Sequence, residues 1–118
     1  AKVFLLQIAM YKFKSRAAGD LIMLDPNGQQ ILTIIGKFDG PADRKGILLP
    51  EQMPAAIEAL ESAVAQDEAR RAQLIKEAQD AGEAPPAFEG ISLRLRAVPF
   101  IAMIRRCHKE DKEIVWGV

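Results

Sequence analysis

Residues 51–109 read EQMPAAIEALESAVAQDEARRAQLIKEAQDAGEAPPAFEGISLRLRAVPFIAMIRRCHK, and this stretch decides the fold. Its charge is sorted by segment. Residues 51–83 hold eight acids and three bases, a net charge of −5, whereas residues 91–109 hold Arg94, Arg96, Arg105, Arg106 and Lys109 and no acid, a net charge of +5. Both segments read as helices. Pro54 suits a first helical position, and Gly82 suits the residue just past a helix end, which predicts a helix to about Ala81. Ile57, Leu60, Val64, Leu74, Ile75 and Ala78 recur on one face of it, interrupted by Asp67 and Arg71 at a spacing that lets them pair. Ser92 is a natural cap for the second helix, predicted to run to about His108, with a kink or restart at Pro99. Leu93, Ala97, Phe100, Ile101, Ile104 and Cys107 form its apolar face, and Arg94, Arg105 and Arg106 lie opposite. Two consecutive helices of opposite charge, joined by the Pro-containing connection 83–90, are expected to pack antiparallel and to neutralise each other.

Upstream, the alternation in Tyr11–Arg16 (YKFKSR) has the period of a half-buried strand. A turn at Ala17–Asp20 and a second strand at Leu21–Leu24 complete a hairpin. Asp25-Pro26-Asn27-Gly28 admits two readings. It is either a turn before a third strand or the start of a short helix capped by Asp25 and ended by Gly36. The helical spacing of Ile31, Leu32, Ile34 and Ile35 favours the helix, while the β-branched isoleucines speak for the strand. Residues 37–50 read as a loop punctuated by Gly40-Pro41 and Gly46. Ile114–Val118 (IVWGV) reads as a closing strand. The fold expected is therefore α+β: a small three-stranded antiparallel sheet packed against a long antiparallel helical hairpin and a short helix. Residues 10–118 form one domain, preceded by an apolar lead-in at 1–9 (AKVFLLQIA). The expected core comprises Phe13, Leu21, Met23, Ile31, Ile34, Ile35, Ile57, Leu60, Val64, Phe100, Ile104 and Val115.

The totals bound the function. A chain of 118 residues buries enough surface for a core without metal or disulfide support. Equal numbers of acids and bases, 16 of each, argue against capture of nucleic acid or anionic membrane by the domain as a whole. A single cysteine, Cys107, excludes an intrachain disulfide and fits a reducing compartment, taken to be the cytoplasm. The apolar run near the start is too short to cross a bilayer and lacks the charged start of a secretory signal.

Several separate segments agree, in order, with one family. These are MYKFKSRAAGDLIML, PNG followed by ILTIIGK, KGILLPEQMPAAIEALE, GISLRLRAVPFIAMIRR and the terminal IVWGV. Together they resemble the small proteobacterial proteins grouped as domain of unknown function 1840, over about Met10 to Val118. The resemblance implies a bacterial source and a cytosolic location. It carries no catalytic or binding residues across.

Candidate chemistry is sparse. Cys107 and His108 are adjacent, but neighbours on a helix point about 100° apart, and two such ligands fall short of the four a zinc site wants. A helix C-terminus would also raise the thiol pKa, the wrong direction for a nucleophile. The carboxylates of 51–83 spread around a helix without a shared cleft. No glycine-rich phosphate loop is present. No catalytic, cofactor-binding or metal-ligating residue is assigned, and no cofactor is expected. What remains is a surface: Leu95 and Val98 among Arg94, Arg105 and Arg106, with Trp116 either a ring packed over a strand and helix or a further interface anchor. The reading that follows is a non-catalytic interaction module, self-associating as a homodimer or meeting a protein partner. The alternatives are a nucleic-acid or anion binder using the basic last helix, and an enzyme of unrecognised chemistry.

Overall fold

A computed structural model describes residues 10–40, 44–88 and 92–117. The alternation of the first strand determines how the chain is laid down. β1 (Met10–Phe13) buries Tyr11 and Phe13 and turns Met10 and Lys12 outward. It pairs antiparallel with β2 (Leu21–Leu24), Met10 opposite Leu24 and Phe13 opposite Leu21. The chain then enters α1 (Asp25–Ile34) directly, with Pro26 in its first turn. The helical reading of this segment is the right one. Asp25, however, is not its cap: Leu24 holds the cap position without a side-chain bond, and Asp25 lies inside the first turn. There its carboxylate receives both ends of Arg44, at 2.6 and 2.8 Å.

β3 (Gly46–Leu48) falls within the stretch expected to be loop, and it pairs antiparallel with β4 (Ile114–Trp116). The expected three-stranded sheet is thus replaced by two two-stranded sheets, β1–β2 and β3–β4. One bridge joins them, the reciprocal backbone bonds of Lys14 and Val115 at 2.8 and 2.9 Å. β4 therefore does lie beside β1, as expected of a third strand, but only at this point. Its other edge is taken by β3, which puts Gly46 opposite Trp116. The indole lies so close over Gly46 that a Cβ there would be 2.3 Å from its ring.

After a single 3₁₀ turn at Pro50–Gln52, α2 (Met53–Asp80) runs 28 residues, roughly 42 Å. It ends as its sequence predicts. Gly82 takes φ +69, its N–H reaches the Gln79 carbonyl, and that of Glu83 reaches Ala78. α3 (Leu93–Lys109) starts at Ser92, whose hydroxyl accepts the Leu95 N–H at 3.4 Å. It runs as one helix through Pro99, so there is no restart at that position. Pro99 is exposed, so its ring crowds only a carbonyl on the solvent side.

α2 and α3 pack against each other, and α1 packs beside α2 and β1. The core lies between the helices and the inner faces of the two ribbons. Phe13 is its centre, with Phe100, Trp116 and Tyr11 ring centroids at 4.6, 5.6 and 6.2 Å. All six residues of the expected α3 face are buried, and Met103 joins them. Leu32 is fully buried where Ile34 and Ile35 were expected, because the phase of α1 turns those two to its rim; Leu21, Ile57 and Val115 are likewise half-buried. The distal half of α2 is more open. There Leu74 is exposed, and the returning connection lies alongside, with Pro86 near Leu74 and Ala78. Among the described residues, no helix is long and apolar enough to cross a membrane. Residues 1–9 lie outside the described residues, as does Val118 at the end of the expected last strand.

Candidate interaction surface

Each charge pair across the hairpin follows from antiparallel packing. Arg94, in the first turn of α3, meets Glu68 in the middle of α2, with Nε and Nη2 at 2.8 and 2.9 Å from its two oxygens. About three turns further along α3, Arg105 meets Glu61, about two turns back on α2, at 2.9 Å. A bidentate guanidinium–carboxylate pair fixes register as well as adding attraction. The hydrogen bonds from Arg94 hold the Glu68 carboxyl below its ordinary range, and Glu68 in turn raises the Arg94 pKa. Next door, partial burial pushes the Asp67 carboxyl up. Hydrogen bonds and charge from Arg70 and Arg71 outweigh that and leave it lowered. The expected Asp67–Arg71 pair is present at 3.0 Å, and Arg71 also lies over the Phe88 ring at 4.6 Å.

Between the two cross-helix ion pairs runs a groove of about 290 Å³ along the α2/α3 seam. Its floor is apolar, from Val64 and Ala65 on α2 and Ile101 and Ala102 on α3, with Val98 at its edge, and Glu61, Glu68, Arg94 and Arg105 stand at its walls. Beside it Leu95 is 64% exposed, the highest value among the large apolar residues described, and Val98 is 49% exposed. Leu95, Val98, Pro99 and Ala102 are all exposed and follow one another at helical spacing.

The residues singled out from sequence thus divide three ways. Arg94, Leu95, Val98 and Arg105 come together on this face. Arg106 points elsewhere and donates to the Ala17 carbonyl at 2.6 Å. Trp116 does not belong to the surface: it is 1% exposed and packs in the core against Phe13. Cys107 is fully buried and His108 exposed, so the two do not converge. Among the described residues, no group of three or more His, Cys, Asp or Glu side chains could hold a metal ion.

A second patch was missed. Met10, Ile22, Leu24 and Ile47 are exposed on the outer face of the two ribbons, beside Lys12. Its signal was there in LIML at 21–24 and GILL at 46–49. Such runs have no alternation, so in a sheet with one covered face they must present apolar side chains outward.

Comparison with protein families places the chain. The family described as "Domain of unknown function (DUF1840)" matches residues 9–116. The protein belongs to this family, over nearly its whole length. Neither the curated proteins nor the solved structures yielded a match.

Proposed function

We propose that this protein is a non-catalytic interaction module that works by self-association, as a homodimer. The observation that carries the reading is the combination on one face of α2/α3. A protruding apolar ridge, Leu95 and Val98, lies next to an apolar groove with small side chains in its floor. Apolar side chains gathered in one place and rimmed by charge are the usual make-up of a docking surface. A formal net charge of zero leaves little repulsion between copies.

The alternative of an anion or nucleic-acid binder has less support. Its arginines are engaged: Arg94 and Arg105 with glutamates, Arg106 with a backbone carbonyl. A phosphate would have to displace those partners. The test of self-association is co-expression of tagged and untagged copies. The untagged chain is expected to co-purify with the tagged one, and its complete loss in the wash at high protein concentration would overturn the reading.

A further inference from the structure

We infer that the second copy docks across the α2/α3 seam, with a two-fold axis parallel to the helices, so that α3 of each protomer lies over α2 of its partner. This rests on the self-association proposed above and gives it a surface and an orientation.

Two faces compete for the role, and area separates them. α3 is 17 residues long, roughly 25 Å. Two helices about 9 Å apart present a face roughly 20 Å wide. That footprint, about 500 Å² in projection and larger once the relief of side chains is counted, is the nearer of the two to the roughly 800 Å² per partner of a standard interface. The outer sheet face carries more large apolar side chains, but its strands are only three or four residues long. At about 3.3 Å per residue they extend roughly 13 Å, and four strands side by side at about 4.8 Å each cover roughly 19 Å. That face falls well short of a stable interface by itself.

Charge then selects the orientation. The α2 side of the seam presents Glu61 and Glu68, the α3 side Arg94 and Arg105. A two-fold axis across the helices would lay α2 on α2 and face glutamates with glutamates. An axis along the helices lays each α2 on the partner's α3, so that each internally paired glutamate and arginine meets the partner's pair in the reversed, attractive sense. The same rotation sets the Leu95–Val98 ridge of each copy over the partner's α2, where Ala65 leaves room. Neighbouring helices in the resulting four-helix layer are all antiparallel, the arrangement in which such layers commonly pack.

The experiment is sedimentation equilibrium of the full chain beside two double variants on exposed positions, Leu95→Glu/Val98→Glu and Ile22→Glu/Leu24→Glu, each checked for an unchanged circular dichroism spectrum. Two exposed apolar residues of the proposed interface become charged in the first variant, so its dimer dissociation constant is expected to rise at least about a hundred-fold. The second variant is expected to stay within a few-fold of the parent. If the helix-face variant dimerises like the parent while the sheet-face variant falls apart, this docking mode is overturned and self-association stands. If the parent itself is monomeric at high micromolar concentration, both fall together.

Discussion

Arg94 holds both carboxylate oxygens of Glu68 across the seam between α2 and α3, at 2.8 and 2.9 Å. With Arg105 on Glu61 at 2.9 Å, it converts two oppositely charged helices into one neutral hairpin. Arg94 and Arg105 are thereby engaged within their own chain although both stay exposed, and beside them the apolar ridge is open to solvent. The first consequence is a pH dependence. Asp67 and Glu68 both titrate lower in the folded chain than in the unfolded one. Their contribution to stability is therefore fully present above the ordinary carboxylate range and is lost as pH falls through the lowered folded values. Arg94→Ala removes the main cause of the Glu68 shift. Urea unfolding followed from neutral pH into the acid range is expected to show a shallower acid-side loss in that variant. A parallel curve would contradict the pairing.

Two glycines are required by rings rather than by backbone conformation. A Cβ at Gly28 would lie 2.3 Å from Tyr11 Cδ2, and one at Gly46 would lie 2.3 Å from Trp116 Cζ2. Both rings are 1% exposed and have nowhere to move. Gly28→Ala and Gly46→Ala are each expected to destabilise by about 1–3 kcal/mol in urea unfolding, despite the higher helix propensity alanine would bring to α1.

Arg44 ties the segment before β3 to the start of α1. It bonds both oxygens of Asp25, stacks over Tyr11 at 4.5 Å and reaches the Met10 carbonyl at 3.2 Å. Its side chain is half-exposed, which limits the effect. Arg44→Ala is expected to cost about 1 kcal/mol. Arg44→Lys should recover only part of that, because a point cation cannot span two carboxylate oxygens and stack a plane on a ring. Chemical denaturation of both variants checks the order.

Pro99 interrupts the hydrogen-bond ladder of α3 at an exposed site within the apolar ridge. Pro99→Ala restores an N–H opposite the Leu95 carbonyl and is expected to raise stability by roughly 1–3 kcal/mol. The thermal midpoint of the variant measures it. A loss of stability would mean that the ring makes packing contacts worth more than the bond it removes.

The helical hairpin was legible because every level of the sequence agreed on it: Pro54, Gly82 and Ser92 mark its ends, the apolar stripe its face and the opposed charges its pairing. The inner face of β1 was equally plain from YKFK. What was not legible was non-local. Gly46–Leu48 is too short and too uniformly apolar to announce a strand, and only its pairing with β4 makes it one. Trp116 admitted both a packed ring and a surface anchor, and what decides for the core is the glycine opposite it, which the sequence alone does not pair with it. Asp25 looked like a cap because the residue type is a good one, yet Arg44, 19 positions away, claims its carboxylate instead. Leu95 and Val98 were visible as apolar residues among arginines. The groove beside them was not, since it needs α2 for its other wall.

The central claim is that the face left open by the neutralised hairpin joins two copies of this chain. Sedimentation equilibrium of the unmodified protein, from low to high micromolar concentration, tests it most directly. The expected result is a mass that climbs with concentration to twice that of one chain; the mass of a single chain at every concentration would contradict the account.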